Sequence, residues 1–171
     1  MPSAAERGRF WVVLVAVVAL DRVTKIVAES ALAGDRMIGV VGDVVRLRLV
    51  YNPGAAFGIH VGAYSRWFFL GIAIIAVGLL QRMWFEAAPA DTLRRWAVAI
   101  VAGGAAGNMI DRVLSSRGVI DFIDVGLQPA SLRWPTFNVA DIAVTCGAVA
   151  LALSLWREDA ERRRAVQPDT G

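Results

Sequence analysis

From Trp67 to Leu80 the chain carries only apolar side chains and glycine, WFFLGIAIIAVGLL. A helix made of this run is hydrophobic on every side, so it has no face to turn toward water and must be surrounded by core or lipid. Extended to residues 65–85, it reaches the roughly 20 residues that cross a bilayer. Three further segments approach that length, at about residues 10–28, 93–113 and 138–156. With 57% hydrophobic residues and a mean hydropathy of +0.54, the 171-residue chain is too apolar for an ordinary soluble domain. The expected fold is an all-α membrane protein with four transmembrane helices. Residues 1–171 read as a single domain, because no Pro/Ser-rich or charged linker divides them and no internal repeat is found.

The first segment imitates a secretory leader, with Arg7 and Arg9 ahead of the apolar run Phe10 to Leu20 and an Ala-Leu-Ala at 31–33. Asp21, Arg22 and Lys25 separate the run from that cleavage-like triplet, so the segment is read as a span. Asp21 and Lys25 stand four residues apart, on one helical face, where they can pair and turn inward. From Gly34 to His60 the period changes. Val45-Arg46-Leu47-Arg48-Leu49 alternates like a half-buried strand, and Gly42-Asp43 before it marks a hairpin turn. Asn52-Pro53-Gly54-Ala55-Ala56-Phe57-Gly58 marks a tight turn. A small extracytoplasmic β-structured loop is therefore expected beside the helices. In the third span, Gly103 and Gly107 have the spacing that lets two membrane helices approach closely. Residues 157–171 read as a charged, solvated tail.

Four spans place both termini on one side. Basic residues are equally numerous on the two sides, but on the terminal side they crowd into short segments: Arg7/Arg9, Arg82/Arg94/Arg95 and the tail. That density makes this side cytoplasmic. All six Trp fall near span ends, as an aromatic belt does. The pI of 9.7 rests on an Arg bias that reads as topology rather than nucleic-acid binding. One Cys, Cys146, which reads as packing, and one His, His60, exclude a disulfide framework and a His/Cys metal cluster. No metal or cofactor is expected.

This topology gathers Asp21, Lys25, Asn52, Asn108, Asp111, Arg112, Asp121, Asp124, Asn138 and Asp141 at the outer face. A proton or ion path would spread ionisable groups through the membrane, so the one-sided cluster favours a site acting at the outer interface. Two neighbouring carboxylates share a proton, and one can then take a proton from water while the other protonates a carbonyl, as in aspartyl proteases. The pattern leaves open which of Asp111, Asp121 and Asp124 takes part. Asp111, followed by Arg112 and three residues from Asn108, is suited to a structural ion-paired acid as much as to a reacting one. Asn138 can cap the fourth helix with Asp141 in its first turn, where the helix dipole stabilises a carboxylate.

In order along the chain, Asp21 with Lys25, Asn52-Pro53-Gly54-Ala55-Ala56-Phe57, Gly107-Asn108-Met109-Ile110-Asp111-Arg112, Val119-Ile120-Asp121-Phe122 and Phe137-Asn138-Val139-Ala140-Asp141 resemble the boxes of lipoprotein signal peptidase (signal peptidase II). The likeness spans about residues 10–156. It implies a globomycin-sensitive aspartyl endopeptidase of the bacterial inner membrane that cleaves prolipoproteins just before the diacylglyceryl-modified Cys. It also implies catalytic roles for Asp121 and Asp141 and favours the structural role for Asp111. Asn52 and Gly54 would hold the peptide or the developing oxyanion, and Arg112 and Asn108 would orient the substrate or the third helix's outer end. Asn138 would position Asp141, Asp21 and Lys25 would brace the site, and Val44 to Tyr51 would cradle the substrate. The expected partners are diacylglyceryl-prolipoproteins and the lipid bilayer, with no nucleic acid, and the chain is expected to be a monomer. Two features depart from the pattern: Ile120 stands where Val is commoner, and the connector Val113 to Gly118 carries no box. The competing class is a non-enzymatic transporter subunit or assembly factor whose acids are structural pairs.

Overall fold

A computed structural model describes residues 3–54, 62–88, 91–127 and 132–166. His60 and the part of the tight turn from Ala55 to Gly58 lie outside the described residues, as does the end of the tail, 167–171. Four helices, α1 (Ala4–Ala31), α2 (Ser65–Glu86), α3 (Thr92–Leu114) and α4 (Val139–Val166), accompany three strands, β1 (Met37–Val41), β2 (Val45–Asn52) and β3 (Val119–Val125). Three stretches, Gly62–Glu86, Thr92–Leu114 and Val139–Arg164, are long and apolar enough to cross a membrane. The 28-residue α1 is long enough, but Glu6, Arg7, Arg9, Asp21, Arg22 and Lys25 lower its hydropathy.

Local chemistry sets the helix ends. Ser3 caps α1 in a reciprocal box, its hydroxyl accepting from Glu6 N at 3.2 Å while Glu6 Oε2 accepts from Ser3 N at 2.6 Å. Asp91 caps α3 by accepting from Arg94 N at 2.9 Å, and its other oxygen accepts from Ser154 Oγ on α4 at 2.7 Å. Past Trp156, α4 does not give way to irregular tail. The i,i+4 pairs Glu158–Arg162 at 2.6 Å and Asp159–Arg163 at 2.8 Å line its exposed last turns, the spacing that supports a solvated helix.

Helix α3 is central and packs against the other three. Its glycines make this possible. A Cβ on Gly103 would sit 2.8 Å from Val17 Cβ, and one on Gly107 would sit 2.6 Å from Asp21 Oδ2, both on α1. Gly104 faces the other way, where a Cβ would lie 2.5 Å from the Ala140 carbonyl oxygen of α4. At one end of the bundle Phe10, Leu80, Trp84, Val98, Ala99 and Ala102 form an apolar core. Trp84 lies inside this core, while Trp11, Trp67, Trp96, Trp134 and Trp156 are exposed. Arg95 is buried too, bonded to Glu6 and to the Ala87 carbonyl, and is not a free loop charge.

At the opposite end Ala28, Leu32 and Phe122 bind the sheet to the bundle. The strands pair antiparallel in the order β1-β2-β3, with the expected hairpin around Gly42-Asp43. On β2 the register moves from Leu47↔Ile123 to Val50↔Asp121, so one extra residue bulges there. Thr136 and its neighbours close the other edge of β3: Phe137 O accepts from Ile123 N at 2.8 Å and Phe137 N donates to Ile123 O at 3.0 Å. This contact delivers the chain directly into α4.

Candidate active site

Strand geometry separates the two acids of β3. Successive residues alternate sides, so Asp121 and Asp124, three apart, point to opposite faces. Asp124 is fully buried among arginines: Arg133 Nε at 2.8 Å, Arg46 Nη2 at 3.0 Å and Arg48 Nε at 3.6 Å. Burial pushes its pKa up, but hydrogen bonds from Arg133 and Arg46 and the nearby positive charges outweigh it and hold the carboxyl below its ordinary value. Asp124 is thus the electrostatic pin of the sheet.

Asp121, on the other face, meets amides instead of cations. Its Oδ1 accepts from Asn138 Nδ2 at 2.7 Å and its Oδ2 from Asn52 Nδ2 at 3.2 Å. It is 3% exposed. Burial first, and the neighbouring Asp141 charge second, raise its pKa from 3.8 to about 7. Asp141 is half-buried in the first turn of α4. There Asn138 Oδ1 accepts from Asp141 N at 3.0 Å and Asp141 Oδ2 accepts from Asn138 N at 3.1 Å, a reciprocal cap built from Asn and Asp. Asn138 therefore touches both acids, through its side chain to Asp121 and its backbone to Asp141.

A second amide, Asn108 on α3, donates from Nδ2 to Asp141 Oδ1 at 2.8 Å. Its Oδ1 accepts from Asn138 Nδ2 at 3.1 Å and from Lys25 Nζ at 3.0 Å. Lys25, fully buried, also donates to Asp21 Oδ2 and contacts Asp111 Oδ2, each at 2.7 Å. Asp21 in turn accepts from Ala140 N at 3.0 Å, which fastens α1 to the residue before Asp141. The ion-pair partners of Asp111 are Lys25 and Arg22, the latter at 2.8 Å, not the adjacent Arg112, and its Oδ2 also accepts from Ile120 N at 3.3 Å. Consecutive helical residues point about 100° apart, so Arg112 turns elsewhere. It donates to Asn108 O at 3.1 Å and Gly54 O at 3.2 Å, joining α3 to the turn after β2.

Within that turn Asn52 Oδ1 accepts from Gly54 N at 3.0 Å. Gly118 closes against the turn in a left-handed conformation, φ +105°, where a Cβ would lie 2.2 Å from Asn52 O. Asn52, Asn108, Arg112, Asp121 and Asp141 all line a cavity of about 500 Å³. The remaining wall comes from the 134–137 segment and from α4 residues including Ile142 and Cys146. Cys146 is exposed, not packed in the core, because α4 presents that face to the cavity. No box marks this wall, with its Trp134-Pro135, and no spacing announces Arg22 and Arg46, whose acid partners lie far along the chain, or Arg133, which meets Asp124 nine residues away.

A helical bundle that holds two amide-linked carboxylates beside such a cavity is suited to acid–base hydrolysis, the chemistry of aspartic peptidases. Residues 13–157 match the family model for signal peptidase (SPase) II. The chain is 38% identical over 174 residues to the lipoprotein signal peptidase of Ectopseudomonas mendocina, covering 98% of this chain and 100% of that one. It is 42% identical over 165 residues to the lipoprotein signal peptidase of Pseudomonas fluorescens Pf-5, covering 92% and 94%. A solved structure described as a bacterial membrane enzyme, obtained in meso at 2.3 Å resolution, superposes with a TM-score of 0.79 at 30% identity, covering 90% of this chain and 91% of that one. The chain belongs to the signal peptidase II family.

Proposed function

We propose that the chain removes the signal peptide from diacylglyceryl-modified prolipoproteins, cutting just before the lipidated Cys with Asp121 and Asp141 as the catalytic pair. The observation that carries this reading is the pairing itself: a buried acid with its pKa near 7 and a second acid, joined through Asn138 and both lining one cavity. Asp121 enters the reaction holding the proton. Asp141 takes a proton from water as the water oxygen adds to the scissile carbonyl carbon, and Asp121 gives its proton to the carbonyl oxygen. In the second step Asp141 returns its proton to the amide nitrogen, Asp121 recovers one from the collapsing diol, and the C–N bond breaks to leave a carboxylic acid and an amine. Asn52 uses one amide hydrogen on Asp121 and has a second to offer the oxyanion. Asn108, Asn138, Asp21, Lys25 and Asp111 hold this geometry, and Arg112 fixes Gly54 at the cavity's edge.

Under the same proposal α1 is the fourth span, with Asp21 and Lys25 neutralising each other inside the bundle. The exposed Ile72, Ile75 and Leu79 of α2 and Val149 of α4 face lipid. Both termini are cytoplasmic, the acids lie at the extracytoplasmic face of the inner membrane, the chain works as a monomer, and globomycin inhibits it. The test is incubation of the purified protein with diacylglyceryl-modified and unmodified precursor side by side. Only the modified precursor is cleaved, and Asp121→Asn or Asp141→Asn each abolish cleavage while the protein stays folded in detergent. Full activity in either variant would remove that acid from the mechanism.

A further inference from the structure

At the end of the bundle remote from the two acids, a second cavity of about 90 Å³ opens between α1, α2 and α3. Its inner wall is apolar, formed by Phe10, Val13, Trp84 and Ala99, while Arg9, Arg95 and Glu6 supply its charge. Two arginines against one glutamate leave the lining net positive. Arg95 is only 9% exposed. One of its terminal nitrogens donates to Glu6 and the other to Ala87 O at 3.1 Å, and its guanidinium carbon lies 5.4 Å from the centroid of the Trp84 ring. Its buried Nε–H has no acceptor among the described residues. A buried guanidinium N–H without an acceptor is uncommon in a settled interior and calls for an explanation. The exposed Arg9 stands at the same opening.

An apolar wall beneath a basic rim matches an amphiphile whose anion sits at the membrane interface, and basic pockets between membrane helices hold acidic head groups in this way. We propose that this cavity binds the phosphate-bearing head group of an anionic glycerophospholipid. Arg9 takes the phosphate at the opening, with the Arg95 charge beneath it, and the Phe10, Val13 and Ala99 wall takes the start of an acyl chain. Free phosphate offers the same oxygens but nothing for that wall. The site is separate from the acids and does not depend on the reaction assigned to them.

Native mass spectrometry of the full chain, released from detergent with equimolar phosphatidylglycerol and phosphatidylcholine of matched acyl chains, tests the assignment. Phosphatidylglycerol is retained over phosphatidylcholine, and Arg9→Gln lowers that retention about fivefold, the value of one interfacial arginine. Arg162→Gln, at an exposed tail position, leaves it unchanged, as does Asp141→Asn. Arg95 also ties α1 to α3, so Arg9→Gln is the informative variant should Arg95→Gln fail to fold. Equal retention of the two lipids, or an Arg9→Gln protein that holds as much lipid as the parent, overturns the site. An equal loss in Arg162→Gln overturns it as well, since net charge rather than the cavity would then be responsible. Inorganic phosphate added at the lipid's own concentration leaves the lipid bound; full displacement would make free phosphate the ligand and overturn the lipid assignment.

Discussion

Replacing Lys25 with Met keeps the length of the side chain and removes only its charge and donors. The ammonium spends its three hydrogens on Asp21, Asp111 and Asn108, at 2.7, 2.7 and 3.0 Å, with no exposure to water. Asp111 retains Arg22 when Lys25 is lost, whereas among the described residues Asp21 keeps only the Ala140 N–H as a partner. Removing one member of a buried ion pair costs about 3–5 kcal/mol, because the partner is left charged and unpaired. In a chain of this size each kcal/mol moves the melting midpoint by about 2–4 °C, so Lys25→Met should melt at least about 6 °C below the parent. The assay is thermal unfolding in a fixed detergent, repeated for Asp21→Asn and for the double variant. Asp21→Asn leaves an amide oxygen to accept from Ala140 N and removes the charge that Lys25→Met strands. The double variant should therefore be more stable than the sum of the singles by well over 1 kcal/mol, the sign of direct coupling. Additive losses, or a Lys25→Met protein that melts with the parent, would refute the view that this cluster is held together by charge.

Turnover should fall as pH rises through about 7, where Asp121 loses its proton, and a rate that is flat from pH 6 to 9 would contradict its role as acid. The same raised pKa ties stability to pH: the protonated acid's contribution is fully present below 3.8, the unfolded value, and is lost as pH rises through about 7. Asp121→Asn, which cannot ionise, should flatten that part of a melting-versus-pH curve. Asp124→Asn should cost about 3 kcal/mol in melting by stripping Arg46 and Arg133 of their shared partner, with cleavage per folded molecule retained; lost cleavage with unchanged melting would assign Asp124 to the reaction. Gly104→Ala places a Cβ 2.5 Å from Ala140 O, so α3 and α4 must part. A loss of about 1–3 kcal/mol is expected in unfolding titrations, with reduced cleavage because Asp141 follows Ala140.

Features carried by local spacing were legible in the sequence. Asp21 and Lys25 pair because i,i+4 residues share a helical face, Asn138 and Asp141 cap α4 because they stand three apart at its start, and Gly42-Asp43 turns the hairpin. What depends on packing was not. Asp111 finds Arg22 and Lys25 because Gly103 and Gly107 let α1 lie close against α3, and nothing near Asp111 announces partners about ninety residues away. β3 lacks the usual alternation with polar residues because both of its faces are buried, each around one of its two acids. The odd spacing of Asp121 and Asp124 was nevertheless present in the sequence. Had the segment been read as a strand, that spacing would have set the arginine-bound acid apart from the amide-bound one before any fold was available.

The partners of Lys25 also have an order in time. Asp21 is made four residues before it, whereas Asn108 and Asp111 emerge more than eighty residues later and Ala140 N–H, which completes Asp21, later still. Lys25 therefore has a counter-ion on its own helix long before the more distant residues that need it exist. The local pair stays closed at 2.7 Å in the folded bundle, so α3 adds Asn108 and Asp111 around it and α4 adds the Ala140 N–H. A chain stalled before α4 would leave Asp21 without the Ala140 N–H, at the very spot where the finished protein fastens the residue before Asp141.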